Sequence, residues 1–433
     1  MENLEHYDVH RANIRNSVIL GLTVPGPRKP STLFSLYSTF LNTYQIVVFF
    51  LMSLSVVLQQ TSIHRILVDV DAAYCTMFGF AVSIYYSFYT KQLQELIKRF
   101  NEITNDCLND PLDDGRTFKE RLNTENRVVY KCASIIPLTT GICPMTYYAI
   151  GVARSLRLFG MDGKRDVTVD TIIPNLDQSP NFEIAQVTCM ISIQLGITRK
   201  AAVEWFLISL MALSRTYINH IEMTLMKVFS DAQDRNLKSA EKHMVGELEN
   251  DEIERKVHFN VESRLVEERI KLWVKIHQKV LRLNEDLIVA LSPLMAFYLV
   301  NITTLSALTV FAVTMDEEMI FVEKMSMGYF GVSSVITLLL LCSFGNQLFL
   351  KSGKLANLAF YKCFESGSGM YSKNVYNSLK VIFQRTQSPI VYAPYKSPSF
   401  TFTNESSVSF AWSMISFFFA IKKLKEIASE SKY

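Results

Sequence analysis

Residues 325–350 read MSMGYFGVSSVITLLLLCSFGNQLFL and contain no Asp, Glu, Lys or Arg. A helix needs about 20 apolar residues to cross the roughly 30 Å hydrocarbon core of a bilayer. Charged side chains inside that core are costly, so a membrane span requires a long uncharged run. This stretch therefore predicts a transmembrane helix, and the fold depends on how many similar stretches the chain contains.

The same pattern recurs along the 433 residues, 49% of which are hydrophobic. Four more stretches are free of these charged residues and long enough to span, and they lie at 30–64, 72–90, 132–153 and 287–315. Together with two weaker candidates they predict an all-α membrane protein with seven transmembrane helices. We number these spans 1 to 7 in chain order, and the opening stretch is span 6.

The two weaker candidates are spans 4 and 7. Span 4, at 185–213, is interrupted by Arg199, Lys200 and Glu204. A single long helix, shielded in part by protein or water, accommodates these charges. Span 7, at 406–421, is shorter than the other spans and rich in serine, which suits a helix that faces a pore or a partner. The expected cap of that helix is Asn404.

The distribution of Lys and Arg predicts the orientation of the chain. The connections between spans 2 and 3 and between spans 4 and 5 are rich in both residues. By contrast, only Arg65 lies between spans 1 and 2, and only Lys324 between spans 5 and 6. Basic connections favour the cytoplasm, so we expect an intracellular N-terminus and an extracellular C-terminus. The basic residues between spans 3 and 4, with Lys422 and Lys423 after span 7, run against this bias.

The domain organisation follows from these spans. The long connection at 216–284 interleaves apolar and charged residues at helical spacing, so it is expected to be a helical extension inside the cell. The chain then divides into a cytoplasmic N-terminal segment, spans 1 to 6, a cytoplasmic anchor helix, and a last helix with a short extracellular tail, at 1–34, 35–350, 351–400 and 401–433.

Sequence motifs give no support for catalysis. The chain has no nucleophile elbow, phosphate-binding loop, zinc-protease motif or dinucleotide fingerprint. Its seven cysteines form no CxxC pair and show no metal-ligand spacing, so we expect neither a metal site nor a cofactor. A net charge of +3 is too small to indicate a nucleic-acid partner. Paired carboxylates are absent from the uncharged spans, which argues against an ion-coupled transporter.

The outer halves of several spans carry aromatic residues and methionines. An apolar cavity lined by such side chains suits a small volatile molecule, and methionine adapts to varied ligand shapes. The alternative is that these side chains only pack helix against helix or form an aromatic belt at the membrane surface. The candidate ligand-binding residues are Tyr74, Met77, Phe78, Met145, Tyr148, Met190, Ile191, Tyr329 and Phe330.

Short motifs in the C-terminal third resemble those of the insect odorant-receptor family. The inner end of span 6 reads LCSFGNQL at 341–348 and is followed by Lys351 and Ser352. A His-Gln pair at 277–278 precedes span 5, and Ser-Phe-Phe at 416–418 lies where the family has Ser-Tyr-Phe. Trp412 departs from the Lys that many members carry. The chain lacks the gustatory-receptor signature and the co-receptor's longer connection, so it is similar to a tuning subunit, which binds the odorant.

The resemblance implies a mechanism and a set of partners. It implies an odorant-gated, non-selective cation channel in the plasma membrane of an olfactory neuron. The channel would be a heterotetramer with odorant-receptor co-receptor subunits. The odorant would bind in the outer half of the bundle, and the last helix would line the pore. At helical spacing the candidate pore residues are Ser413, Phe417, Ala420 and Leu424.

Two alternative interpretations remain open at this stage. A seven-helix G-protein-coupled receptor would place the N-terminus outside the cell, opposite to the orientation that the charge distribution predicts. The other alternative is a ligand-gated channel of the gustatory-receptor type, whose signature, Thr-Tyr followed five residues later by Gln-Phe, is missing from this chain.

Overall fold

The computed structural model describes residues 20–22, 31–58, 63–113, 116–131, 178–245, 251–315, 321–365 and 373–430. This part of the chain is built from helices and their connections, with no strand. The helices are α1 (Thr32–Leu58), α2 (Ile63–Leu108), α3 (116–131), α4 (Asn181–Val245), α5 (Asp251–Met315), α6 (Phe321–Glu365), α7 (Lys373–Thr386) and α8 (Asn404–Glu430).

Six of the seven predicted spans coincide with helices. Spans 1, 2, 4, 5, 6 and 7 fall in α1, α2, α4, α5, α6 and α8, and span 3 lies outside the described residues. By length and composition, four described stretches can cross a membrane, namely Thr32–Leu58, Asn181–Asp231, Arg264–Phe311 and Gly331–Lys362. Span 4 is one continuous helix through its charged residues, as the sequence predicts.

Two helices are much longer than a bilayer is thick. Helices α4 and α5 contain 65 residues each. At 1.5 Å per residue each is roughly 100 Å long, against the roughly 30 Å of hydrocarbon that a span crosses. Both helices therefore continue far beyond the membrane. Their extensions lie in the connection that the sequence predicts to be helical and cytoplasmic.

A close crossing of α2 and α4 determines how these two helices pack in the bundle. A Cβ atom at Gly79 would lie 2.7 Å from the Cα atom of Gly196, and one at Gly196 would meet the carbonyl oxygen of Cys75. Only glycine allows two helix backbones to approach this closely. The crossing fixes the rotation of α4 and hence which of its side chains face the bundle.

Hydrogen bonds and ion pairs hold the extensions of α4 and α5 against α2 and α3. We call these packed segments, together with α7, the inner body. The Trp273 indole on α5 donates to the carbonyl of Ile221 on α4 at 2.8 Å. On α4, His220 lies 3.0 Å from Asp110, which follows α2. The Arg215 guanidinium on α4 forms an ion pair with Glu125 on α3. These contacts join α2, α3, α4 and α5 below the predicted spans.

The predicted anchor region at 351–400 comprises the end of α6, the helix α7 and part of a strap at 387–403, which is irregular apart from a short 3-10 helix at Pro394–Lys396. The strap is hydrogen-bonded to its neighbours. The Ile390 amide donates to the Ser352 hydroxyl at 2.9 Å, and the Phe402 amide donates to the Tyr392 carbonyl at 2.9 Å. The Tyr392 hydroxyl donates to the Asn284 side-chain oxygen on α5 at 3.2 Å. The strap therefore ties the base of α8 to α5 and α6.

One glycine of the quoted motif permits this attachment. A Cβ atom at Gly345 would collide with the backbone carbonyl of Phe402 and approach the Phe402 Cβ atom to 2.9 Å. The helix α8 begins at Asn404, one residue earlier than a cap at Asn404 predicts. The Thr403 hydroxyl, rather than the Asn404 side chain, accepts the Ser406 amide at 3.4 Å. The prediction that Asn404 caps this helix was wrong.

Replacing Gly345 by alanine is expected to destabilise the protein, because the obstacle is backbone and has little freedom to move. Forcing extra volume into such a contact costs about 1–3 kcal/mol. The apparent Tm of the full chain in detergent, followed by fluorescence-detected size-exclusion chromatography, should fall.

The matched control for this substitution is Gly353→Ala in the same helix. A Cβ atom at Gly353 meets nothing within 4 Å. Alanine has the higher helix propensity, so the control should keep or raise the Tm. Equal losses in both variants would contradict the proposed contact.

Candidate ligand-binding and pore sites

An apolar cluster lies among the outer parts of α1, α2, α4 and α5. We call it the outer cluster, and its buried members are Val48, Met52, Ala72, Ala73, Cys75, Cys189, Ile193, Ile197 and Leu305. Two predicted ligand-binding residues, Tyr74 and Met190, are half-buried and pack against it. The structure thus brings side chains of α2 and α4 together at the level where the sequence predicts a ligand.

The remaining predicted ligand-binding residues are placed differently. Phe78 is buried in the main core, where its ring stacks on Phe297 with centroids 5.0 Å apart. Met77 is half-buried, and Ile191 is 46% exposed. Met145 and Tyr148 lie outside the described residues. Tyr329 and Phe330 lie on α6, but their side chains are outside the described part.

Below the outer cluster, Arg199 lies in the interior with 0% exposure. Its guanidinium donates to the Gln45 side-chain oxygen on α1, to the Gly79 carbonyl at 3.3 Å and to the Leu20 carbonyl at 3.0 Å. The Ser38 hydroxyl donates to the carbonyl of Gly21 at 2.5 Å. Residues 20–22, which belong to the predicted cytoplasmic segment 1–34, therefore pack against α1 and α4.

A second buried charge group joins α4, α5 and α6. The ammonium of Lys200 lies 2.8 Å from the carboxylate of Glu204, one turn further along α4. The Tyr298 hydroxyl on α5 donates to the same carboxylate at 2.9 Å, and Lys200 donates to the Ser334 hydroxyl on α6 at 3.4 Å. A charge in a low-dielectric interior needs such partners. The expectation that protein shields these charges is confirmed.

The partners of these charges could not be identified from the sequence. Gln45, Tyr298 and Ser334 are single polar groups within uncharged stretches. A usable signal was present, because a polar side chain inside a span seldom faces lipid and usually points toward the bundle interior. The sequence contained no information on which charge each of them would meet.

Most side chains in the C-terminal half of α8 are exposed in the part of the chain that the structure describes. Trp412 is 64% and Phe419 62% exposed, and the predicted pore residues Ser413, Phe417 and Ala420 are exposed as well. The side chain of Leu424 lies outside the described part. A helix with apolar side chains exposed around its circumference requires lipid or other protein around it.

A cleft lies beside the N-terminal half of α8. It has a volume of about 900 Å³ and separates α8 and the strap from α5 and α6. Its lining mixes apolar side chains with hydroxyls, including Thr303, Ser399, Ser409 and the predicted pore residue Ser413. The cleft also has the carboxylate of Glu405 among its lining residues. It can hold water or pass polar solutes beside α8.

Substitutions can test the buried ion pair between Lys200 and Glu204. Glu204→Gln and Lys200→Met should each lower the apparent Tm strongly, because removing one partner leaves a buried charge uncompensated, at about 3–5 kcal/mol. The double variant should be less destabilised than the sum of the two, since both charges are gone. Thermal melts of the purified chain measure all three variants. Simple additivity in the double variant would contradict the direct coupling.

Comparison with known sequences supports the motif-based resemblance. Residues 62–396, from the start of α2 into the strap, match the profile of the 7tm Odorant receptor family. No curated protein matches the chain.

Two solved structures have a similar fold, and both are of the olfactory receptor OR5 from the insect Machilis hrabei. One is a complex with eugenol, with a TM-score of 0.69 and 15% identity, covering 98% of this chain and 100% of that one. The other has a TM-score of 0.70 and 14% identity, covering 96% and 97%. The predicted all-α membrane fold is thereby confirmed. Because the family profile matches more than half of this chain, the chain belongs to the 7tm Odorant receptor family.

Proposed function

We propose that this chain is the odorant-binding subunit of a heteromeric, ligand-gated, non-selective cation channel that also contains odorant-receptor co-receptor subunits. The observation that carries the proposal is the isolation of α8. It is attached firmly at its base, yet Trp412, Phe417 and Phe419 remain exposed above that base. A helix of this kind completes its packing against other subunits.

The serines of α8 favour a wet pore over a purely lipid environment. Ser409 and Ser413 line the cleft described above, and the Ser413 hydroxyl donates to the carbonyl of Ser409 at 2.9 Å. Such hydroxyls satisfy themselves on the helix and still offer acceptor oxygens to passing cations and water. Lys423 near the outer end would repel cations, and a mixed assembly tolerates this because co-receptor helices form the rest of the pore wall.

The outer cluster is the proposed odorant site. Its side chains are apolar and Met190 packs against them, so recognition would depend on shape and dispersion rather than on charge. The complex of the Machilis hrabei receptor with eugenol supports a small-molecule ligand for this chain. An odorant opens the channel only if the open state holds it more tightly than the closed state does. The receptor would act in the plasma membrane as a multi-pass protein with a cytoplasmic N-terminus.

Recording currents from cells that express this chain with and without a co-receptor tests the channel assignment. A panel of odorants should evoke currents only when both are present. Phe417→Ala and Leu424→Ala should increase single-channel conductance, because each removes bulk from the proposed pore wall. Ile415→Ala, on the opposite face of α8, is the matched control and should leave conductance unchanged.

The same cells separate the channel from its alternatives. An N-terminal tag should stay inaccessible to antibody in intact cells, whereas a G-protein-coupled receptor would expose it. Currents without the co-receptor would indicate a self-sufficient channel. If Phe417→Ala and Leu424→Ala both leave conductance and gating untouched, the pore assignment is wrong.

A second set of substitutions tests the odorant site. Tyr74→Ala and Met190→Ala should each raise the odorant concentration for half-maximal current by about tenfold, a loss of about 1.4 kcal/mol in binding. Ile184→Ala on α4 is the matched control, because Ile184 is exposed. The maximal current should be retained in all three variants. Unchanged sensitivity in both site variants would move the ligand elsewhere in the bundle.

A further inference from the structure

A cleft in the inner body lies between α5 and α7, away from the outer cluster and from α8. It has a volume of about 470 Å³, within the size range of small-molecule sites. The polar and charged groups that line it include His277, Arg282 and Glu285 on α5 and Asn377 and Arg385 on α7. None of these residues takes part in the proposed odorant site or pore.

The floor of this cleft is a histidine with an unused nitrogen. His277 is 3% exposed, and its ring stacks on Trp273 with centroids 4.8 Å apart. Its Nε2 atom is buried and has no hydrogen-bond partner among the described residues. Buried polar atoms are nearly always hydrogen-bonded, so the unpaired Nε2 atom is unusual. Because this atom is not accessible from the cleft, a group bound in the cleft does not contact it directly.

Two arginines give the cleft its charge. Neither Arg282 nor Arg385 forms an ion pair with any residue in the described part of the chain. With Glu285 as the one carboxylate of the lining, two guanidinium groups and one carboxylate leave a net charge of +1. The planar guanidinium fork matches the oxygens of a phosphate group and binds them in pairs. The amide of Asn377 adds a further donor.

We propose that this cleft binds a phosphate-bearing anion on the cytoplasmic side, with Arg282 and Arg385 holding the phosphate oxygens and Asn377 as a further donor. The location depends on the topology in the proposed function. Arg282 precedes span 5 by five residues, or roughly 7 Å of helix, which places it near lipid headgroups. Both a phosphoinositide headgroup and a soluble inositol polyphosphate have this chemistry.

Occupancy of the cleft would have a mechanical consequence. Arg282 lies on α5 and Arg385 on the last turn of α7, immediately before the strap that positions α8. An anion bound to both arginines therefore ties α7 to α5 and holds the start of the strap. The ligand would stabilise the inner body, because binding to the folded state alone raises its apparent stability.

The test uses the purified full chain in detergent, where either face of the protein is accessible and no channel activity is needed. Inositol hexakisphosphate and a short-chain phosphatidylinositol bisphosphate are titrated separately, and binding is followed by microscale thermophoresis and by the rise in Tm. At least one probe should bind saturably. Arg282→Gln and Arg385→Gln should each weaken that binding about tenfold or more.

The matched control is Arg264→Gln. Arg264 is an exposed arginine on α5, 18 residues from Arg282 and roughly 27 Å away along the helix. Its substitution removes the same charge and should leave binding unchanged. Equal weakening in all three variants would reduce the effect to general charge attraction and overturn the site, as would the absence of saturable binding by either probe.

The two probes identify the source of the anion. Binding of the lipid alone assigns the cleft to a membrane headgroup, binding of the soluble probe alone assigns it to a cytosolic metabolite, and either result supports the phosphate site. If no odorant evokes a current but phosphate binding is retained, the proposed function is contradicted and the phosphate site is not. Intact odorant currents without phosphate binding would sink only this inference.

Discussion

The position of α8 depends on one backbone contact, the approach of Gly345 on α6 to the carbonyl of Phe402 in the strap. Beyond its first turns, most side chains of α8 are exposed among the described residues. The direction of α8 is therefore set at its N-terminal end, where it leaves the strap. There Phe402 is buried and hydrogen-bonded to Tyr392, and Ser407 is buried one turn into the helix. A displacement of this base is carried along the whole of α8, because a helix moves as a rigid element over such a length.

The outer cluster and this base are connected by the same helices. Helices α4 and α5 pass through both regions, and the Lys200–Glu204 pair with Tyr298 and Ser334 links them to α6. Hydrogen-bonded contacts of this kind are directional, so the helices cannot slide past each other without breaking them. A ligand that changes the packing of the outer cluster must act on helices that are tied together here.

The sequence predicted the helices well because the cost of charge in a membrane is a local property. Each uncharged stretch could be recognised without knowing its neighbours, and spans 1, 2, 5 and 6 coincide with helices for that reason. The helical extensions beyond the spans were predictable too, since charges recur there at helical spacing. The partners of Arg199 were not predictable, because Gln45 and Leu20 are separated from it by 154 and 179 residues.

The candidate site was only partly predictable for a related reason. Met190 and Ile191 are adjacent apolar residues that the sequence does not distinguish, yet Met190 packs on the outer cluster and Ile191 is exposed. The difference is the rotation of α4, which the crossing of Gly79 and Gly196 sets. The cap of α8 failed in the same way: Thr403 and Asn404 are both competent capping residues, and only the packing of the strap decides between them.

These two kinds of contact also explain how one fold can accept different ligands. The outer cluster is held by dispersion and the hydrophobic effect, which are nearly indifferent to direction, so apolar side chains of similar volume can be exchanged there at modest cost. The base of α8 depends on a glycine and on paired backbone groups, which tolerate little change. If Tyr74 and Met190 contact the odorant as proposed, ligand preference can vary there while the attachment at Gly345 and Phe402 stays intact.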